Sequence, residues 1–151
     1  MDSIANAIEA YRVQAIKTSK VKEQLDEITT RSTLGAVRLT ETPMQHQAVA
    51  HRTENIIIKR EQYLQKYEEE RDFLQILKSQ LLKDIDIIRR SGIPQSIKMA
   101  DVMELHAVRF WSFGKIAKQL YGGQADYTAK QKDYYKRVER LYNRSIKRMD
   151  Q

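Results

Sequence analysis

Residues 44–91, 48 in a row, contain neither glycine nor proline, and a stretch of that length without a helix breaker commits the chain to one long α-helix. The whole chain of 151 residues has only five Gly and two Pro, while 31% of it is charged. Few turn-formers and many charges suit long exposed helices and leave little room for a turn-rich sheet protein. The expected fold class is all-α, with a long N-terminal helical hairpin.

Before that stretch, Ile4, Ile8, Tyr11, Ala15, Val21, Leu25 and Ile28 keep to one face of a 3.6-residue helix, with Asp2 or Ser3 able to cap it. This is α1, expected over 3–30. From Thr29 to Gly35, and on to Thr40-Glu41-Thr42-Pro43, β-branched and hydroxyl side chains compete with a helix for backbone hydrogen bonds, so a loop of about a dozen residues is expected. Pro43, comfortable in a first turn, then opens α2, expected over 43–91. Its positions Ile57, Leu64, Tyr67, Leu74, Leu77, Leu81, Ile85 and Ile88 form a seam in three- and four-residue steps that needs a partner helix. At about 70 Å, α2 is too long for α1 alone to cover. Part of it must pack against the C-terminal region or another subunit, and a homodimer through α1 and α2 is one way to do so. Glu68, Glu69 and Glu70 fan out around the helix and cannot converge on one ion, which makes them a solvated face.

Ser91-Gly92-Ile93-Pro94 is the clearest boundary, since Gly suits the position after a helix and Pro cannot continue one. It divides an oligomerisation or partner-docking region, 1–91, from a second module, 92–151. That module is expected to hold α3 over 96–110, α4 over 112–121 with Ser112 as N-cap, and α5, which begins between Tyr127 and Asp133 and reaches Met149. The charge is unevenly split: residues 1–97 carry 15 basic and 14 acidic side chains, residues 98–151 carry 12 and 6, so nearly all of the net +7 lies in the second module. A cationic C-terminal third points to a polyanionic partner.

On α5 the stripe Tyr135, Val138, Leu141, Tyr142, Ile146 and Met149 is expected to be buried, leaving Lys136, Arg137, Arg140, Asn143, Arg144 and Lys147 on the other side. Five cations and one amide on one face match duplex DNA: Lys and Arg for phosphate, Arg for guanine, Asn for adenine. On α4, Ile116 and Leu120 share an apolar face with Ala117, whose small side chain allows another helix to approach. Lys115 and Lys118 then meet phosphates, as in the first helix of a helix-turn-helix pair. An early start of α5 would add Lys130 and Lys132 to the DNA-facing surface; the alternative is a flexible loop over 123–132. Tyr134 and Tyr135 could stack or hydrogen-bond at DNA, although burial is at least as good a reading of Tyr135.

Other chemistries find little support. Zero cysteines exclude disulfides, thiolate nucleophiles and Cys-ligated zinc, which fits a reducing compartment. His46 and His51 are five apart and diverge on a helix, and His106 stands alone. No Gly-rich phosphate loop or recognisable nucleophilic triad is present. The longest apolar run, Ile56-Ile57-Ile58, cannot cross a bilayer. The expectation is a cytoplasmic protein without cofactor, metal or membrane partner, and not an enzyme.

Three segments carry a resemblance: Glu104-Leu105-His106-Ala107-Val108, Trp111-Ser112-Phe113-Gly114-Lys115-Ile116-Ala117, and Val138-Glu139-Arg140-Leu141-Tyr142-Asn143-Arg144-Ser145-Ile146. Together they resemble the C-terminal helix-turn-helix of ArpU/RinA-type phage transcriptional regulators, which are themselves similar to sigma-factor region four. The resemblance covers about 45 residues. It implies a phage-encoded activator of late genes that acts in the host cytoplasm on double-stranded DNA, with host RNA polymerase as a second candidate partner. The family joins its two helices by a short Leu-Gly turn, whereas here about ten extra residues follow Leu120-Tyr121-Gly122-Gly123. A terminase small subunit that recognises packaging sites is the nearest rival, and a helical adaptor holding an acidic protein is the third reading.

Overall fold

The computed structural model describes residues 3–38 and 46–151, and those residues are helical with no strand among them. Five helices follow in order: α1 Ile4–Arg38, α2 His46–Arg89, α3 Pro94–Met103, α4 Phe113–Tyr121 and α5 Gln131–Met149. A π-helical turn, Glu104–Val108, continues α3. The all-α expectation holds. Pro43 and the side chains of His46 and His51 lie outside the described residues.

α1 runs eight residues past its expected end. Within it Thr29 and Thr30 donate their hydroxyls to the carbonyls of Leu25 and Asp26, each at 2.9 Å, so the side chains expected to break the helix bond back into it instead.

The chain divides into two compact units, and the division does not fall at Gly92. One unit is Val13–Gln75; the other joins Met1–Arg12 to Ile76–Gln151. In the first, α1 and α2 meet through polar seam residues: Gln14 donates to the Glu70 carbonyl at 3.1 Å and to its carboxylate, and Thr18 donates to the same carbonyl at 3.4 Å. Val21 and Ile28 are buried. Of the expected α2 seam, Tyr67 and Leu74 are half-buried as expected, but Ile57 and Leu64 are 46% and 42% exposed, and Tyr63 is half-buried instead. The apolar pattern shared by neighbouring positions 56–58 and 63–64 left that register ambiguous.

The second unit carries a hydrophobic core: Met99, Val102, Ile116, Ala117, Tyr121, Tyr134, Val138 and Leu141 pack together from α3, α4 and α5. The end of α2 contributes the buried Leu81, Ile85 and Ile88. Gly92, at φ +73°, makes the left-handed turn after α2, and Pro94 then opens α3 in its first turn. Arg89 ties this corner together. Its guanidinium donates to Asp86 at 2.9 Å, Asp101 at 3.0 Å and Glu104 at 2.7 Å, and the Glu104 bond is the main cause that raises its pKa further above the ordinary arginine value. The start of α1 belongs here too. The Ile4 amide donates to Asp150 at 2.8 Å, and the Tyr11 hydroxyl donates to the Val108 carbonyl at 3.3 Å while its ring stacks on Phe110.

Candidate nucleic-acid interface

α5 starts at Gln131, inside the expected window, and its buried residues are Tyr134, Val138, Leu141 and Ser145. Helical periodicity then puts Lys132, Lys136, Arg140, Asn143 and Lys147 on the opposite side, all of them exposed. Arg137 and Arg144 stand on one flank of that stripe, towards α3, and Tyr135 and Tyr142 on the other. Val138 and Leu141 match the expected buried stripe, Tyr142, Ile146 and Met149 are half-buried, and Tyr135 is out of it at 44% exposed, edge-on to Phe113.

Tyr134 does not join the exposed face as expected. Only 7% of it is exposed; its ring stacks on Tyr121 at 4.9 Å and its hydroxyl donates to Asp126 at 2.6 Å. That bond holds the Asp126 carboxyl below the usual carboxylate range and lifts the Tyr134 phenol above its ordinary value. Adjacent tyrosines are equivalent in composition; Tyr134 is the one in phase with Val138, Leu141 and Ser145, and its inward side meets the Tyr121 ring.

The connection between α4 and α5 is neither an early helix nor a featureless loop. Consecutive turns close through Tyr127 N to Gln124 O at 3.1 Å and Lys130 N to Asp126 O at 3.0 Å. Lys130 is half committed, since its ammonium lies 3.5 Å from Asp126. Gly122 ends α4 where an added Cβ would overlap the Lys118 carbonyl.

Ser112 caps α4 as expected, accepting from the Lys115 amide at 3.2 Å. Ala117 is buried and Lys118 exposed, but Lys115 folds back with its ammonium 4.0 Å from the centre of the Trp111 ring. Behind it His106 stacks on Phe113 at 4.1 Å, and its Nδ1 donates to the Trp111 carbonyl at 2.8 Å. The wider π turn gives the ring that position, because the Arg109 amide reaches back to Glu104 and the Trp111 amide to Leu105.

Two cationic groups were not legible in the sequence. Lys98 of α3 lies over the Tyr121 ring at 5.1 Å, next to Arg137 at 5.6 Å from the same ring. Arg148 donates to the buried Ser96 hydroxyl at 2.5 Å, fastening α3 to the end of α5. Their only local signal is a basic residue near a helix end, and nothing in the sequence pairs α3 with α5.

No protein-family model, curated protein or solved structure matches the chain. Among the described residues, no group of three or more His, Asp or Glu could hold a metal ion, and no helix is long and apolar enough to cross a membrane.

Proposed function

We propose that the chain is a sequence-specific DNA-binding protein whose α5 lies in the major groove of duplex DNA. One observation carries this reading: Lys132, Lys136, Arg140, Asn143 and Lys147 share the outward side of a helix whose inward side is locked by Tyr134, Val138, Leu141 and Ser145. A rigid helix with four cations and an amide on one exposed face has the donors that guanine, adenine and phosphate accept from. α4, packed across α5 and capped by Ser112, acts as the supporting helix of the pair, and Lys118 reaches the backbone. Together with the three segments that resemble ArpU/RinA-type regulators, this makes a phage-type transcriptional regulator the preferred role, with activation of late genes in the host cytoplasm and contact to RNA polymerase as its further elements. Residues 122–130 replace that family's short turn with a longer one stapled by Tyr127, Tyr134 and Asp126.

Self-association fits the same reading, because Ile76 and Ile87 of α2 are 55% and 69% exposed on one face of the helix. A dimer matches a regulator bound to paired half-sites, and a ring of many copies matches a terminase small subunit. Selection of bound sequences from random duplex DNA tests the main claim. A recurring motif supports it, and recovery of random sequence contradicts it.

A further inference from the structure

On the flank of the α5 stripe, a cleft of about 490 Å³ opens between the start of α3 and the middle of α5. Gln95 and Lys98 line it from α3, Tyr121 from the end of α4, and Arg137, Arg140 and Arg144 from α5. Its lining holds four cations and no carboxylate. None of the four forms an ion pair among the described residues. A neighbouring concavity of about 290 Å³ on the same helix shares Arg137 and Arg140 with the cleft but has Asp126 and Asp133 in its wall, so Lys98 and Arg144 are the cations that face the cleft alone.

The cations are brought together from two helices. Lys98 and Arg137 lie over one buried ring, that of Tyr121, and the Arg148–Ser96 bond and the shared core fix the helices that carry them. Like charges gathered around one concavity repel, an anion between them relieves the repulsion, and a concave, partly apolar wall strengthens their combined field. Arginine forks present paired N–H groups, which match an anion bearing several oxygens better than a halide. The first turn of α3 faces the same space through Pro94 and Gln95, and it has no side-chain cap.

We propose that this cleft is a phosphate-binding site, occupied when the protein is on DNA by a backbone phosphate beside the groove that α5 enters. Arg140 stands at the edge common to the cleft and the outward stripe, so a strand running past the stripe brings its phosphates to the cleft. The DNA source rests on the function proposed above; the phosphate chemistry rests on the cleft alone.

Lys98 is exposed and outside the core, so replacing it tests the site without unfolding the protein. The full chain and its Lys98→Ala and Lys98→Arg variants are titrated with duplex DNA over a range of salt, and separately with pyrophosphate while the backbone amides are followed by NMR. Pyrophosphate is expected to move the amides of Gln95 and Lys98, and Lys98→Ala to reduce the slope of log K against log salt by roughly one, with Lys98→Arg restoring it. Pyrophosphate shifts at the cleft without any duplex binding support the site with a free phosphate compound as its ligand, and count against DNA. Duplex binding with an unchanged slope in Lys98→Ala and unmoved cleft amides overturns the site and leaves the DNA reading standing. A chain that binds neither overturns both.

Discussion

Tyr134 donates its hydroxyl to the Asp126 carboxylate at 2.6 Å, and this contact joins the α4–α5 connection to the inward side of α5, opposite the cationic stripe. The connection of residues 122–130 is thereby anchored to the helix it precedes. The two helices keep a defined register without a short turn.

Replacing Tyr134 by Phe keeps the stack on Tyr121 and removes the bond. The variant should melt below the parent protein at neutral pH. Asp126 is held below the usual range, so its contribution is present above the ordinary Asp pKa of about 4 and is lost as pH falls through its lowered value. Tyr134 is raised, so its contribution is present below the ordinary Tyr pKa of about 10 and is lost as pH rises through its raised value. Thermal melts across pH should therefore converge at both extremes. Coincident melts at pH 7 would contradict the role given to this pair.

A cut at Gly92, the boundary most visible in the sequence, should not release a folded module. Residues 93–151 would leave behind the buried Ile85 and Ile88, and the bonds from Ile4 to Asp150 and Tyr11 to Val108. A short fragment without those groups buries too little apolar surface to be stable. Circular dichroism of the fragment should show a large loss of helix relative to the same residues in the full chain, and a cooperative, fully helical fragment would refute the division into units.

Much of the second unit could be read from short-range chemistry. Ser112 as a cap, Gly92 and Pro94 as punctuation, and Val138 and Leu141 as inward residues depend on neighbours within a turn or two. What could not be read depends on partners far along the chain. The ring that Tyr134 stacks on, Tyr121, belongs to α4. Lys98 joins the basic surface because α3 packs on α5. Thr29 and Thr30 stay helical because their hydroxyls find carbonyls four residues back, a choice that composition leaves open.

Core and surface positions should separate sharply in denaturant unfolding. Ile116 is completely buried, and Ile116→Ala should cost about 2–5 kcal/mol. Ile87 is 69% exposed, and Ile87→Ala should change stability by no more than about 0.5 kcal/mol. A large loss at Ile87 would show that this side of α2 is covered in solution, as in a dimer.

Within the stripe, reading and gripping should be separable. Arg140→Ala or Asn143→Ala should cost about 1–3 kcal/mol on the preferred site and relax the choice of base at one or two positions. Lys147→Ala should weaken all sequences alike. Lys115, drawn over Trp111, should contribute less to DNA than Lys118. Quantitative binding to the preferred duplex and to single-base variants distinguishes these outcomes, and equal losses on every sequence for all the variants would reduce α5 to an electrostatic clamp.

The central claim is that α5 and its basic flank bind duplex DNA, and the salt dependence of that binding tests it most directly. Neutralising about five phosphates predicts that log K falls against log salt with a slope of roughly −4 to −5, with tighter binding to a selected sequence than to random duplex at every salt concentration. Absence of duplex binding at low salt, or binding that stays flat as salt rises, would contradict it.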